Sequence, residues 1–183
     1  MANGVIIESR IQATNIDALN RTAQTESTDV AGGGLVALAS SETQGNDVWT
    51  ATVPSSTLNG LWVAYNPAEH LTKVGDKIFA GLSKDPRDYT NIGGRPFDVF
   101  KPQIGDEVVF TEDCVDSSVS SAVKGDFLES KSSQTKLARV AAGSGATANH
   151  TAFKINWVGT LPMPKAGIGM EQVKAFGCVC VQE

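Results

Sequence analysis

The apolar positions of this chain come in short runs, many alternating with polar neighbours and nearly all cut by turn residues, which predicts strands rather than helices. Residues 5–11 (VIIESRI) read as a first extended segment. Residues 11–28 (IQATNIDALNRTAQTEST) are polar and lack an apolar face wide enough for a helix. After the AGGG break at 31–34 come 35–40 (LVALAS) and 47–53 (DVWTATV). The second alternates, with Val48, Thr50 and Thr52 on one face and Trp49, Ala51 and Val53 on the other, until Pro54 ends it. Residues 61–65 (LWVAY) follow an Asn59-Gly60 turn and stop before Asn66-Pro67. Further strands are predicted at 106–111 (DEVVFT), 126–130, 136–141, 152–159 (AFKINWVG) and 172–182 (QVKAFGCVCVQ). Short strands of this number, rich in β-branched and aromatic residues, define an all-β chain, a small β-barrel, β-tulip or sandwich.

The connections carry their own signals. Residues 82–102 hold three prolines and an adjacent glycine pair, so they predict a long ordered loop with one short strand at Phe97–Phe100. That loop is a candidate contact with a neighbouring subunit. The serine-rich stretch 115–135 and the small-residue stretch 143–149 (GSGATAN) predict surface hairpin tips. The segment VGDKIF at 74–79 echoes IGDEVVF at 104–110, each an apolar residue, a Gly-Asp turn, a charge and a strand. Such a glycine frees the turn's φ and the aspartate caps it.

Composition narrows the function classes. With 183 residues the chain makes one domain, or one domain plus an arm. A formal charge of −5, with no two adjacent basic residues, argues against nucleic acid as a partner. The N-terminal MANGVIIESRI lacks the basic and long apolar regions of a secretory signal, and no apolar run is long enough to span a membrane. Cys178 and Cys180 fall on one face of a strand as buried hydrophobes, and three cysteines give no disulfide framework.

Candidate chemistry is sparse. His70 and His150 are the only histidines, the cysteines lack paired metal-ligand spacing, and no nucleophile elbow or phosphate loop occurs. No catalytic residue, metal or cofactor is expected. The acids Glu112 and Asp113 would raise the Cys114 pKa, against a nucleophilic role. Trp49, Trp62 and Trp157 lie in predicted strands beside apolar residues, which assigns them to core packing.

The order of VIIESRIQATNID, GGGLVAL, WVAYNP, VGDKIFAGLSKDPRDYTNIGGRPFDVFKPQIGDEVVFTED and an apolar C-terminal strand resembles the head decoration, or capsid cement, proteins of tailed bacteriophages. The resemblance covers most of the chain as an order of elements. It implies a β-barrel or β-tulip body over 32–183 and an extended N-terminal arm over 1–31 that adds a strand to a neighbour's sheet edge. In that arrangement Val5, Ile6, Ile7 and Ile11 would anchor the arm, with Tyr89, Ile92 and Arg95 of the long loop as further contacts. It further implies synthesis in the bacterial cytoplasm, binding to the major capsid protein on the exterior of the assembled head, and self-association, a trimer before a dimer or monomer. The alternatives are a tail, baseplate or head-fibre component, a carbohydrate- or surface-binding β-module with an exposed aromatic row, and an enzyme.

Overall fold

The structure, a computed structural model, describes residues 2–43, 47–68, 70–74, 77–81, 83–165 and 169–183. Among them the regular elements are strands and short 3-10 turns. Among the described residues no helix is long and apolar enough to cross a membrane. The chain starts with β1 (Ile6–Arg10), then builds β2 (Asn20–Gln24), β3 (Leu35–Thr43), β4 (Val48–Thr52) and β5 (Trp62–Ala64). A separate hairpin follows, β6 (Leu71–Val74) and β7 (Lys77–Ala80), and then β8 (Phe97–Phe100). The rest is β9 (Glu107–Thr111), β10 (Phe127–Glu129), β11 (Ala138–Val140), β12 (Ala152–Pro164) and β13 (Met170–Gln182).

Two sheets result. Strands β2, β4, β3, β5 and β8 close into a five-stranded barrel, and β1, β9, β13, β12, β10 and β11 form a six-stranded sheet in that order. The sheet's inner face carries Ile6, Val108, Phe110, Phe153, Phe176 and Cys178, packed with Leu35, Val63 and Phe100 from the barrel wall. This is the main core, a sheet laid against a barrel. Ile155 and Cys180 continue it, so Cys178 and Cys180 do share a buried face.

Residues 2–31 belong to the body. β1 pairs with β9, Ile6 opposite Phe110, and β2 pairs with both β4 and β8. An arm with a boundary near residue 31 is therefore replaced by one strand in each sheet. The free side of β1 is met at Ile6 by the Asn66 side chain. Its Oδ1 accepts from the Ile6 N–H at 2.9 Å and its Nδ2 donates to the Ile6 carbonyl at 2.7 Å, standing in for a strand.

The barrel interior explains β2, which polarity had hidden. Ala23, Ala51 and Ala64 fill it together with Val36 and Val99. Small side chains suit a five-stranded lumen, so NRTAQ needs only one apolar residue to be a barrel strand. β2, β4 and β5 run the same way, so the residues two positions earlier gather at one mouth. There the Arg21 guanidinium lies 5.6 Å from the Trp49 ring and 5.9 Å from the Trp62 ring, a cation held against two indoles.

The Gly-Asp turn before β9 has a structural twin. Gly105 and Gly125 have φ of +97° and +96°. Each following aspartate accepts from an N–H three residues back, Gln103 at 2.9 Å and Val123 at 3.1 Å. Gly105 and Asp106 exchange backbone bonds with Cys180, as Gly125 and Asp126 do with Ile155. The echo at 75–76 lies outside the described residues, and the partner of the first turn is Gly125-Asp126. The stretch 115–135 is accordingly more than a hairpin tip, since it buries Val115, Ala122 and Leu128 and contains β10.

Candidate functional site

The residues expected at a partner surface divide into two groups. Val5, Ile6, Ile11, Tyr89 and Ile92 are buried in the chain itself, whereas Ile7 and Arg95 are exposed. Val5 packs with Met163 and Val173, and Ile6 and Ile11 lie in the main core. Tyr89 stacks on His70, ring centroids 4.6 Å apart, and its hydroxyl donates to the Ser83 carbonyl. An ion pair to β13 pins this long loop. Arg87 holds Asp85 at 2.8 Å and reaches Glu171 of β13 at 2.6 Å. Burial works against the Asp85 charge, but the hydrogen bonds and charge of Arg87 outweigh it and hold the carboxyl below its ordinary pKa.

Three open surfaces stand out among the described residues. The first is a cleft of about 800 Å³ beside the barrel mouth, lined by Glu8, Asn20, Arg21, Trp49, Tyr65 and Asp98 among others. Burial, then the charges of Glu8, Asp98 and Asp106, push the Tyr65 phenol up to about 12. It stays protonated and donates to Asn20 Oδ1 at 2.8 Å. The cleft is polar, acidic and aromatic on one wall, an environment suited to hydroxyl-bearing or cationic groups rather than anions.

The second surface is the β6–β7 hairpin, which among the described residues pairs with neither larger sheet. All four residues of β7 are exposed, with Ile78 at 39% and Phe79 at 42%. A two-stranded ribbon alone is marginal in water, so contact with another surface would stabilise it.

The third is the outer face of the six-stranded sheet. Trp157 lies here, 41% exposed, and not in the core. The cause is a register shift between Ile155 and Trp157, which reverses the alternation and turns the indole outward. It then lies flat across Gly177, where an added Cβ would come within 1.8 Å of the Trp157 Nε1. Trp49 and Trp62 are half-buried at the barrel mouth.

The three thiols are enclosed. Burial, aided by the charge of Asp113, pushes the Cys114 thiol up to about 11, and Sγ sits 3.4 Å from the carbonyls of Val5 and Gly32. His150 Nδ1 lies 2.8 Å from the Ser130 carbonyl. Among the described residues no group of three or more His, Cys, Asp or Glu is placed to hold a metal ion. Known protein families, curated proteins and solved structures offer no match to the chain.

Proposed function

We propose that this chain is a decoration protein of a tailed-bacteriophage head, docking on the outside of the assembled shell through its β6–β7 hairpin. The observation that carries the reading is that hairpin, unpaired with either sheet and presenting Ile78 and Phe79 to solvent. Its edges can extend a shell subunit's sheet by backbone hydrogen bonding, with Ile78 and Phe79 each making an apolar contact on opposite faces of the joined sheet. This moves the role first given to residues 1–31 onto a different element. The order of sequence elements supports the same reading. Cement action is cumulative, because a modest free energy per copy acts at every seam of the shell.

The test is co-sedimentation of the purified chain with undecorated phage capsids. Removing residues 1–31 would take a strand from each sheet, so the useful variant is Ile78→Ser with Phe79→Ser. Saturable binding by the wild type that the variant weakens at least about tenfold supports the role and the hairpin, since two buried apolar side chains are worth that or more. Equal binding by both keeps the role and removes the hairpin from it. A folded wild type that does not bind refutes the proposal. A tryptophan fluorescence change with glycans would then favour a carbohydrate module using the cleft at Trp49.

A further inference from the structure

The outer face of the six-stranded sheet carries a pattern that a second copy of the chain would satisfy. Two cross-strand rows are fixed by register. One runs Ile7, Val109, Gly177, Trp157 over β1, β9, β13 and β12. The next runs Arg10, Glu107, Val179, Lys154, Phe127 over β1, β9, β13, β12 and β10. Alternate residues Val108, Phe110, Ile155 and Cys178 point into the core, so these rows face out. Ile7 is 44% exposed, Val109, Val179 and Phe127 are half-buried, and the indole of Trp157 covers Gly177.

The charges identify the occupant. Glu107 and Lys154 flank Val179, two strand spacings or about 10 Å apart. Among the described residues neither makes an ion pair within the chain. An apolar partner would strip water from both, leaving Lys154 with no counter-charge beside it in the row and Glu107 with only its neighbour Arg10, which is costly. A matching partner must present the same two charges at the same spacing in reverse order. This face does so when rotated by 180° about an axis lying in the interface along β13, because the rotation exchanges the positions of β9 and β12.

We propose that the chain forms a twofold homodimer by packing this face on its copy. Lys154 meets Glu107 of the second copy, twice, about a central Val179–Val179 contact. The two Trp157 indoles, each lying over its own Gly177, meet across the axis, and Arg10 faces the ring of Phe127. The contact is isologous, and the two sheets stack in the aligned manner of a β-sandwich. It leaves the β6–β7 hairpin out of the interface and stands whether or not the chain binds a phage shell.

Sedimentation equilibrium of the full chain tests this, with circular dichroism to confirm that each variant is folded. Lys154→Glu and Glu107→Lys each place like charges together twice per dimer, and each raises the dissociation constant at least about tenfold. The double variant restores the opposite pairing and returns the constant to within about threefold of wild type. Rescue by the double variant is the outcome a merely structural role for either residue would not produce. A wild type that stays monomeric or forms trimers up to about 100 µM overturns the proposal, as do single reversals without effect.

Discussion

Replacing Asp126 with Asn tests the twin-turn motif. The carboxylate is nearly inaccessible and accepts three bonds, from Arg139 Nε at 2.6 Å, Val123 N–H at 3.1 Å and Ala142 N–H at 3.0 Å. Burial by itself would raise its pKa. The hydrogen bond and charge of Arg139, with the two backbone donors, outweigh burial and hold it below the ordinary carboxyl value. An asparagine can accept on one side only, so its NH₂ must oppose at least one donor. The best orientation keeps the Arg139 and Val123 bonds on oxygen and sets the amide against the Ala142 N–H. Losing the charge on the Arg139 bond and stranding one buried N–H together cost about 3 kcal/mol. In urea, with a slope of about 2 kcal/mol/M, the midpoint falls by about 1.5 M with the slope unchanged. Asp106, in the twin turn, accepts from Gln12 and Gln103 backbone N–H groups, with no cation bonded to it among the described residues. Asp106→Asn therefore costs less, about 1–2 kcal/mol. The folded pKa of Asp126 lies below the unfolded value near 3.8, so its stabilisation is complete above that pH and is lost as pH falls through the folded value. The gap between wild type and Asp126→Asn should thus be constant at neutral pH and narrow below about pH 4. A variant no less stable than Asp106→Asn, or a gap indifferent to acid, would refute the reasoning.

Two further outcomes follow from the barrel and the thiols. Ala51→Leu adds three carbons to a lumen closed by Ala23, Ala64, Val36 and Val99. It should cost about 2–3 kcal/mol and lower Tm by roughly 5–10 °C, whereas an unchanged Tm in a thermal melt would mean the lumen is not filled. Burial raises all three thiols, Cys114 to about 11 and Cys180 to about 12 with Cys178 also well above its ordinary value. At pH 8 the folded chain should leave Ellman's reagent unreacted and release three equivalents only in denaturant. Rapid reaction of any thiol while circular dichroism stays native would contradict the burial.

The all-β architecture was legible because most strands announce themselves by alternation and by the turns that bound them. LWVAY, DEVVFT and QVKAFGCVCVQ contain β5, β9 and most of β13. β2 was not, because its one inward apolar residue is an alanine. Trp157 was misplaced because alternation carried through Ile155 predicts an inward ring, and a bulge is invisible to alternation. Burial of Val5 and Ile6 could not be read locally, since Val5 packs on Met163 and Val173 and Ile6 pairs opposite Phe110, all distant in sequence. The outer-face rows depend wholly on register between distant strands, which no single segment encodes.

The pairing of β1 with β9 also sets a clock on synthesis. At about 5–20 residues per second, Phe110 is made roughly 5–20 s after its partner Ile6. Through that interval the apolar VII segment has no strand beside it on the core side, and the first unit able to close is the barrel, once β8 is complete. Asn66 is made some forty residues before β9, and its amide can hold the Ile6 backbone in the meantime. The side chain that guards the sheet's edge in the finished protein is thus placed to act as a temporary clasp for the nascent one, and weakening it should show first in the yield of folded chain at the ribosome rather than in the stability of the product.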